Sequence, residues 1–173
     1  MSSVYLITGI MAAGKSTVAQ ALAERLPRAA HVRGDTFRRA IVSGRADPVP
    51  GSDEGMAQLR LRYRIAAGVA DEYAAAGFTA VVQDVVVGAV LAECIELVRT
   101  RPLYVVVLAP RPDAVAAREA GRGKTGYGAW TVADLDTSLR TETPRVGLWL
   151  DTSDLTPEQT VDAILDRRDE AAV

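Results

Sequence analysis

The stretch GIMAAGKST, residues 9–17, sets two glycines, Gly9 and Gly14, around four small or apolar residues and follows them at once with Lys15, Ser16 and Thr17. Glycines at these places let the backbone N–H groups of Gly9, Ala12, Ala13 and Gly14 curl around phosphate oxygens. The amino end of a following helix adds its positive dipole. Lys15 can then reach the β- and γ-phosphates of a nucleotide, Ser16 can ligate Mg²⁺, and Thr17 can hydrogen-bond a phosphate oxygen. The spacing is G-x-x-x-x-G-K-[ST], which is informative when a strand precedes it and a helix follows. VYLIT before the motif and a helical pattern from residue 15 supply that context, against the alternative of a chance match in a glycine-rich turn.

Transfer of a phosphoryl group also needs something to orient and deprotonate its acceptor; the rest of catalysis is positioning and charge neutralisation. Asp35 in HVRGDTFRRAI follows a short apolar run, at the carboxyl edge where open parallel sheets bind ligands. An aspartate there is equally an N-cap for a helix starting at Thr36, and the residues alone leave both readings open. Asp84 ends the valine-rich run VVQDVVV, where a charge is costly unless it is paired or metal-bound. A metal shell, an acceptor contact and a structural ion pair all satisfy that requirement. Arg118 and Arg122 are four apart and share a helix face before the glycines of GRGKTGYG, a hinge-like segment. Arg60 and Arg64 share another helix face, where they meet an anionic acceptor or solvent. Lys15 and Lys124 are the chain's two lysines, both beside glycine.

These residues need elements to hold them. Short apolar runs at 4–8, 29–32, 79–87, 103–108 and 146–150 alternate with helix-period stretches at about 15–26, 36–44, 56–76, 89–99, 112–121, 131–141 and 157–169. Such alternation predicts an α/β fold with a parallel sheet covered by helices on both sides. Met56, Leu59, Tyr63, Ala66, Ala70 and Tyr73 form one core stripe on the longest helix. Thr156, Pro157 and Gln159 spell a capped helix start. SGRADPVPGSDEG at 43–55 and the glycine-rich segment at 121–128 read as surface loops, one toward the substrate and one a lid.

A length of 173 residues fits one domain, 1–173, and a hydrophobic share of 49% with 24% charged residues is that of a globular chain. A net charge of −2 and the absence of a basic stripe argue against a nucleic-acid partner. No apolar run approaches a membrane span, and Cys94, the single cysteine, reads as a small buried residue in a reducing compartment, so a cytoplasmic protein is expected.

GIMAAGKST resembles the Walker A loop of P-loop NTPases, and the surrounding strand pattern resembles the small P-loop kinases, over essentially the whole chain. The resemblance implies a three-layer α/β/α sandwich whose five parallel strands run in the order 2-3-1-4-5. Asp35-Thr-Phe-Arg38 is similar to the strand-2 Asp-x-x-Arg element of those kinases, which makes Asp35 the base and Arg38 the anion clamp. Asp84 resembles the strand-3 acid of chloramphenicol phosphotransferase-like enzymes, placing it in the Mg²⁺ shell or against the acceptor. Arg118 and Arg122 resemble lid arginines, and Thr152 falls in the loop that this family turns toward adenine. A GTPase switch is excluded, because the chain contains no asparagine for a guanine motif. A motor or AAA-type machine needs more chain. The expectation is an ATP- and Mg²⁺-dependent kinase of a small-molecule hydroxyl acceptor, an antibiotic or metabolite. A polynucleotide or nucleoside 5′-kinase and a zeta-toxin-like nucleotide-sugar kinase are the alternatives.

Overall fold

β-Branched and leucine-rich runs, with helices on either side to bury them, become the strands of one parallel sheet in the computed structural model, which describes residues 2–121 and 130–173. The strands are β1 (Val4–Thr8), β2 (Ala29–Arg33), β3 (Thr79–Gln83), β4 (Leu103–Leu108) and β5 (Leu148–Leu150), in the order β2-β3-β1-β4-β5. β1 is buried along its whole length, as the central strand must be. Its partners Ala80 and Leu103 sit on either side of Val4, and Gln83 lies beside both Ile7 and Arg33. That register brings the carboxyl ends of β1, β3 and β2 level, so Gly9, Asp84 and Gly34 leave the sheet side by side.

The flanking helices are α1 (Lys15–Arg25), α2 (Gly34–Arg39), α3 (Asp53–Ala75), α4 (Val90–Leu97), α5 (Pro112–Ala120), α6 (Val132–Thr137), α7 (Pro157–Asp166) and α8 (Arg168–Ala171). α1 packs with α7, and α3 packs with α2, α4 and β3. Thr156 and Gln159 exchange the reciprocal bonds of a capping box at the start of α7.

Several expected bounds move for physical reasons. β3 stops at Gln83, not Val87, because side chains claim the next residues: Thr8 Oγ1 bonds both the N–H and the carbonyl of Val86, and the Tyr63 hydroxyl donates to the Val85 carbonyl at 2.6 Å. α2 begins at Gly34, earlier than expected, and ends by Arg39. The 131–141 stretch divides into α6 and one π-helical turn at Ser138–Glu142. On α3 the buried stripe runs through Tyr63, Ala66, Ala67 and Ala70 to Ala74, whereas Tyr73 is 43% exposed.

Candidate active site

The loop after β1 has the backbone its sequence requires. Gly9 has φ +152°, and a Cβ there would lie 2.6 Å from the Leu108 carbonyl of β4, so no side chain fits. Ala12 (φ 62°) and Gly14 (φ 93°) are both left-handed, and Gly14 caps α1 with no side-chain bond to the first turn. Residues Lys15, Ser16 and Thr17 therefore open the helix with their N–H groups turned toward the loop, the arrangement that holds an anion. Lys15 is largely buried and its Nζ donates to the Ile10 carbonyl at 2.7 Å, while Ala13 N–H donates to the same carbonyl at 3.2 Å.

Arg118 of α5 joins this loop to the segment after β5. It donates to the Thr152 carbonyl at 2.9 Å and to the Ala13 carbonyl at 3.4 Å. Beside it the Thr152 hydroxyl is buried without a hydrogen-bond partner among the described residues. An orphaned polar atom next to a phosphate cradle fits a nucleotide that would satisfy it. Arg122 and the glycine-rich 121–128 segment, beyond Gly121 itself, lie outside the described residues.

On the other flank of β1 the site is built on charge pairs. Asp84, just past β3, is 3% exposed and faces Arg62 of α3, which is 14% exposed. Arg62 grips it with both arms of its guanidinium, Nε to Oδ2 at 2.7 Å and a second, shorter contact from the terminal nitrogen to Oδ1, while Val85 N–H adds a bond to Oδ1. Burial works against the charge of Arg62, and the Asp84 carboxylate more than restores it, so the guanidinium is held above its ordinary pKa. Of the three roles that its valine setting allowed, the ion pair is the one Arg62 fills here. Gly34 makes this packing possible: a Cβ on it would lie 1.8 Å from Asp84 Oδ2.

Asp35 is the second residue of α2, and Arg33 precedes the helix without a side-chain cap, so Asp35 does not serve as the N-cap. Its carboxylate is half-exposed at the sheet edge and pairs with Arg39 at 2.6 Å. Arg38 reaches Asp47 in the 43–55 loop. That loop is held from two sides: Gln58 bonds Ala46 N–H and the Gly44 carbonyl, and the Trp130 indole donates to the Pro48 carbonyl at 3.2 Å. Arg60 turns the other way, to Glu93 of α4 at 3.1 Å. Residues two apart on a helix point roughly 200° apart, so the arginine of α3 that meets the strand edge is Arg62 in place of Arg60.

The structure therefore brings Lys15, Ser16, Thr17, Arg118 and Thr152 to one flank of β1 and Asp35, Arg38 and Asp84 to the other. Arg62 and Gly34 are the site residues that sequence reasoning missed. A signal for Arg62 existed, since it lies three residues after Leu59 and four before Ala66, a cation inside an apolar stripe. A shallow groove of about 400 Å³ starts at Ser16 and Thr17 and runs past Gln20, Glu24 and Arg33 to Glu158. Among the described residues no group of three or more His, Cys, Asp or Glu side chains could hold a metal by themselves. Mg²⁺ in phosphate chemistry needs few protein ligands, keeping waters and phosphate oxygens instead, so the Ser16 hydroxyl fits it without such a cluster.

A phosphate cradle on β1, an Arg-bridged nucleotide flank and a carboxylate-bearing flank on a 2-3-1-4-5 sheet define the fold of a small P-loop kinase. Residues 4–144 match the family AAA_33, described as an AAA domain, and the chain belongs to that family. No curated protein matches it. Among solved structures it is similar to a sugar kinase from Janibacter sp. HTCC2649, with a TM-score of 0.74 and 19% identity over 99% of this chain and 96% of that one. A tunicamycin resistance protein from Deinococcus radiodurans gives 0.72 and 18% over 97% and 96%. A gluconokinase from Sinorhizobium meliloti 1021 gives 0.63 and 21% over 98% and 93%. At these identities the likeness is one of fold. No helix among the described residues is long and apolar enough to cross a membrane.

Proposed function

We propose that this chain is a single-domain, ATP-dependent phosphotransferase that moves the γ-phosphate to a hydroxyl group of a small molecule, a sugar, metabolite or antibiotic, in the cytoplasm. The observation that carries this reading is the placement of the Lys15 loop and Asp35 on one carboxyl edge of one sheet, with β3 between their strands. Strands are spaced about 4.8 Å apart, so with β3 between them the ends of β1 and β2 lie about 10 Å apart, room for a terminal phosphate and an acceptor hydroxyl between the loops. Neighbouring folds described as a sugar kinase and as an antibiotic resistance protein support a phosphotransferase.

In this reading Asp35 accepts the proton of the acceptor hydroxyl as its oxygen attacks the γ-phosphorus. The new O–P bond forms as the bond to the bridging oxygen breaks, and ADP leaves with that electron pair. Lys15 holds the β- and γ-phosphates, the first turn of α1 supplies N–H donors, and Arg118 neutralises transferring charge while fixing the nucleotide loop. Mg²⁺ held by Ser16 would neutralise phosphate charge. The stretch before α3, held by Arg38, Gln58 and Trp130, borders the acceptor. Cys94 takes no part: burial, then the nearby acids, pushes its thiol up to about 12.

The test is Asp35→Asn. ATP affinity should stay within about twofold, and ADP release with an accepted substrate should fall by about 10² or more, the ordinary worth of a general base. Normal turnover by that variant removes the mechanism. Lys15→Ala should lower both affinity and rate.

A further inference from the structure

Resting on that reading, we propose that the acceptor is an uncharged hydroxyl compound, such as a neutral sugar, and that the site selects against acceptors bearing a carboxylate, phosphate or sulfate. Three arginines border the acceptor flank, and each is already matched by a carboxylate: Arg62 with Asp84, Arg38 with Asp47 and Arg39 with Asp35. An anionic acceptor needs a cation whose charge is not already spent. Arg62 cannot serve without stranding Asp84 in a buried position, a change that destabilises strongly. Arg38 is easier to detach, because its pair with Asp47 is largely exposed. Detaching it leaves Asp47 beside the bound anion, so repulsion offsets what Arg38 contributes.

The surroundings point the same way. The loop before α3 carries Arg45, the first turn of α3 adds Asp53 and Glu54, and neutral groups, the Gln58 amide and the Trp130 indole, hold residues 44–48. The Asp35 carboxylate, paired with Arg39, leaves no net positive charge where the acceptor sits. Arg60 and Arg64, each two residues from Arg62, share another side of α3, where Arg60 pairs with Glu93, and neither joins this wall. Among the described residues, a phosphate or carboxylate entering here meets arginines already matched by carboxylates. A hydroxyl-rich neutral molecule meets hydrogen-bonding groups with no charge to oppose it.

The experiment measures ADP release by the full chain with matched pairs: hexoses against their aldonates and their 6-phosphates, and nucleosides against their 3′-monophosphates. The same panel is run on Asp47→Asn. The neutral member of at least one pair should be turned over about tenfold or more faster than its anionic counterparts, and Asp47→Asn should narrow that ratio by freeing Arg38. Equal or faster turnover of an anionic member leaves the kinase reading standing and overturns this one, as does an unchanged ratio in Asp47→Asn. Absence of ADP release across the whole panel removes the kinase reading, and the acceptor assignment with it.

Discussion

Removing Arg62 should be among the costliest single changes in this chain, and the reason is Asp84, not the arginine. Arg62→Met keeps most of the aliphatic stem but leaves a carboxylate that is 3% exposed with only the Val85 N–H as a remaining bond. Breaking one side of a buried pair costs about 3–5 kcal/mol, because the other charge stays behind unmatched. For a domain of this length each kcal/mol moves the midpoint by about 2–4 °C, so thermal unfolding should fall by about 6–20 °C. Asp84→Asn strands the guanidinium in turn. The double variant Arg62→Met/Asp84→Asn removes both charges and should recover much of the loss, giving a coupling energy of about 2–3 kcal/mol from the cycle. Arg62→Lys should also lose stability, since an ammonium cannot reproduce the two-armed grip. The assay is denaturant or thermal unfolding of the four proteins, with ATP affinity measured alongside to show that the loop on the far side of β1 is intact. If both single variants lose less than about 1 kcal/mol, the pair behaves as an exposed one and the reasoning is wrong.

Gly34→Ala should disturb the same pair from the other side, because its methyl carbon would occupy the position of Asp84 Oδ2; unfolding should show a loss of about 1–3 kcal/mol, with ADP release falling too. His31 is the only histidine, and burial, then the charge of Arg33, lowers its pKa to about 4. Its folded value lies below the unfolded one near 6.5. Its contribution to stability is therefore complete above about pH 6.5 and is lost as pH falls toward 4, and the single imidazole signal in an NMR titration should show a midpoint near the lower value. Arg118→Ala breaks the tie between Ala13 and Thr152, so it should weaken ATP binding by about tenfold in calorimetry while changing the unfolding midpoint little.

What could be read without coordinates follows how local each signal is. The phosphate loop was legible because its chemistry lies within nine consecutive residues and its strand and helix flank it directly. The sheet was legible because apolar runs alternate with helical ones, and the resemblance supplied its order. Asp35 stands out in the sequence by its place after a strand, yet only the structure decides against the capping role, since the helix starts one residue before it. Asp84 was recognised as needing a partner, but that partner lies 22 residues away on a helix whose face is fixed only by packing. Arg60 was preferred for its neighbour Arg64 on a shared face. The better clue was two anomalies that cancel, an arginine within an apolar stripe and an aspartate within a valine run. Gly34 looked like an ordinary residue before Asp35, because close approach between strands leaves no mark in the sequence.

The two flanks of β1 treat positive charge in opposite ways, and that contrast bears on how one edge of a sheet can distinguish donor from acceptor. On the donor flank Lys15 and Arg118 donate to the carbonyls of Ile10, Ala13 and Thr152. A carbonyl dipole orients Arg118 without cancelling its charge, so its attraction for a polyphosphate survives in the waiting site. On the acceptor flank Arg38, Arg39 and Arg62 each meet a carboxylate, which orients the side chain and removes its long-range field. A nucleotide approaching the edge is drawn to one side of β1 and finds no comparable pull on the other. On the proposed reading, the difference would keep a second nucleotide from the acceptor position, where it would block transfer. It also makes the acceptor flank the place where specificity can be altered with least effect on ATP binding, which is why the Asp47→Asn ratio is informative: a change there should move acceptor preference while leaving the affinity for ATP where it was.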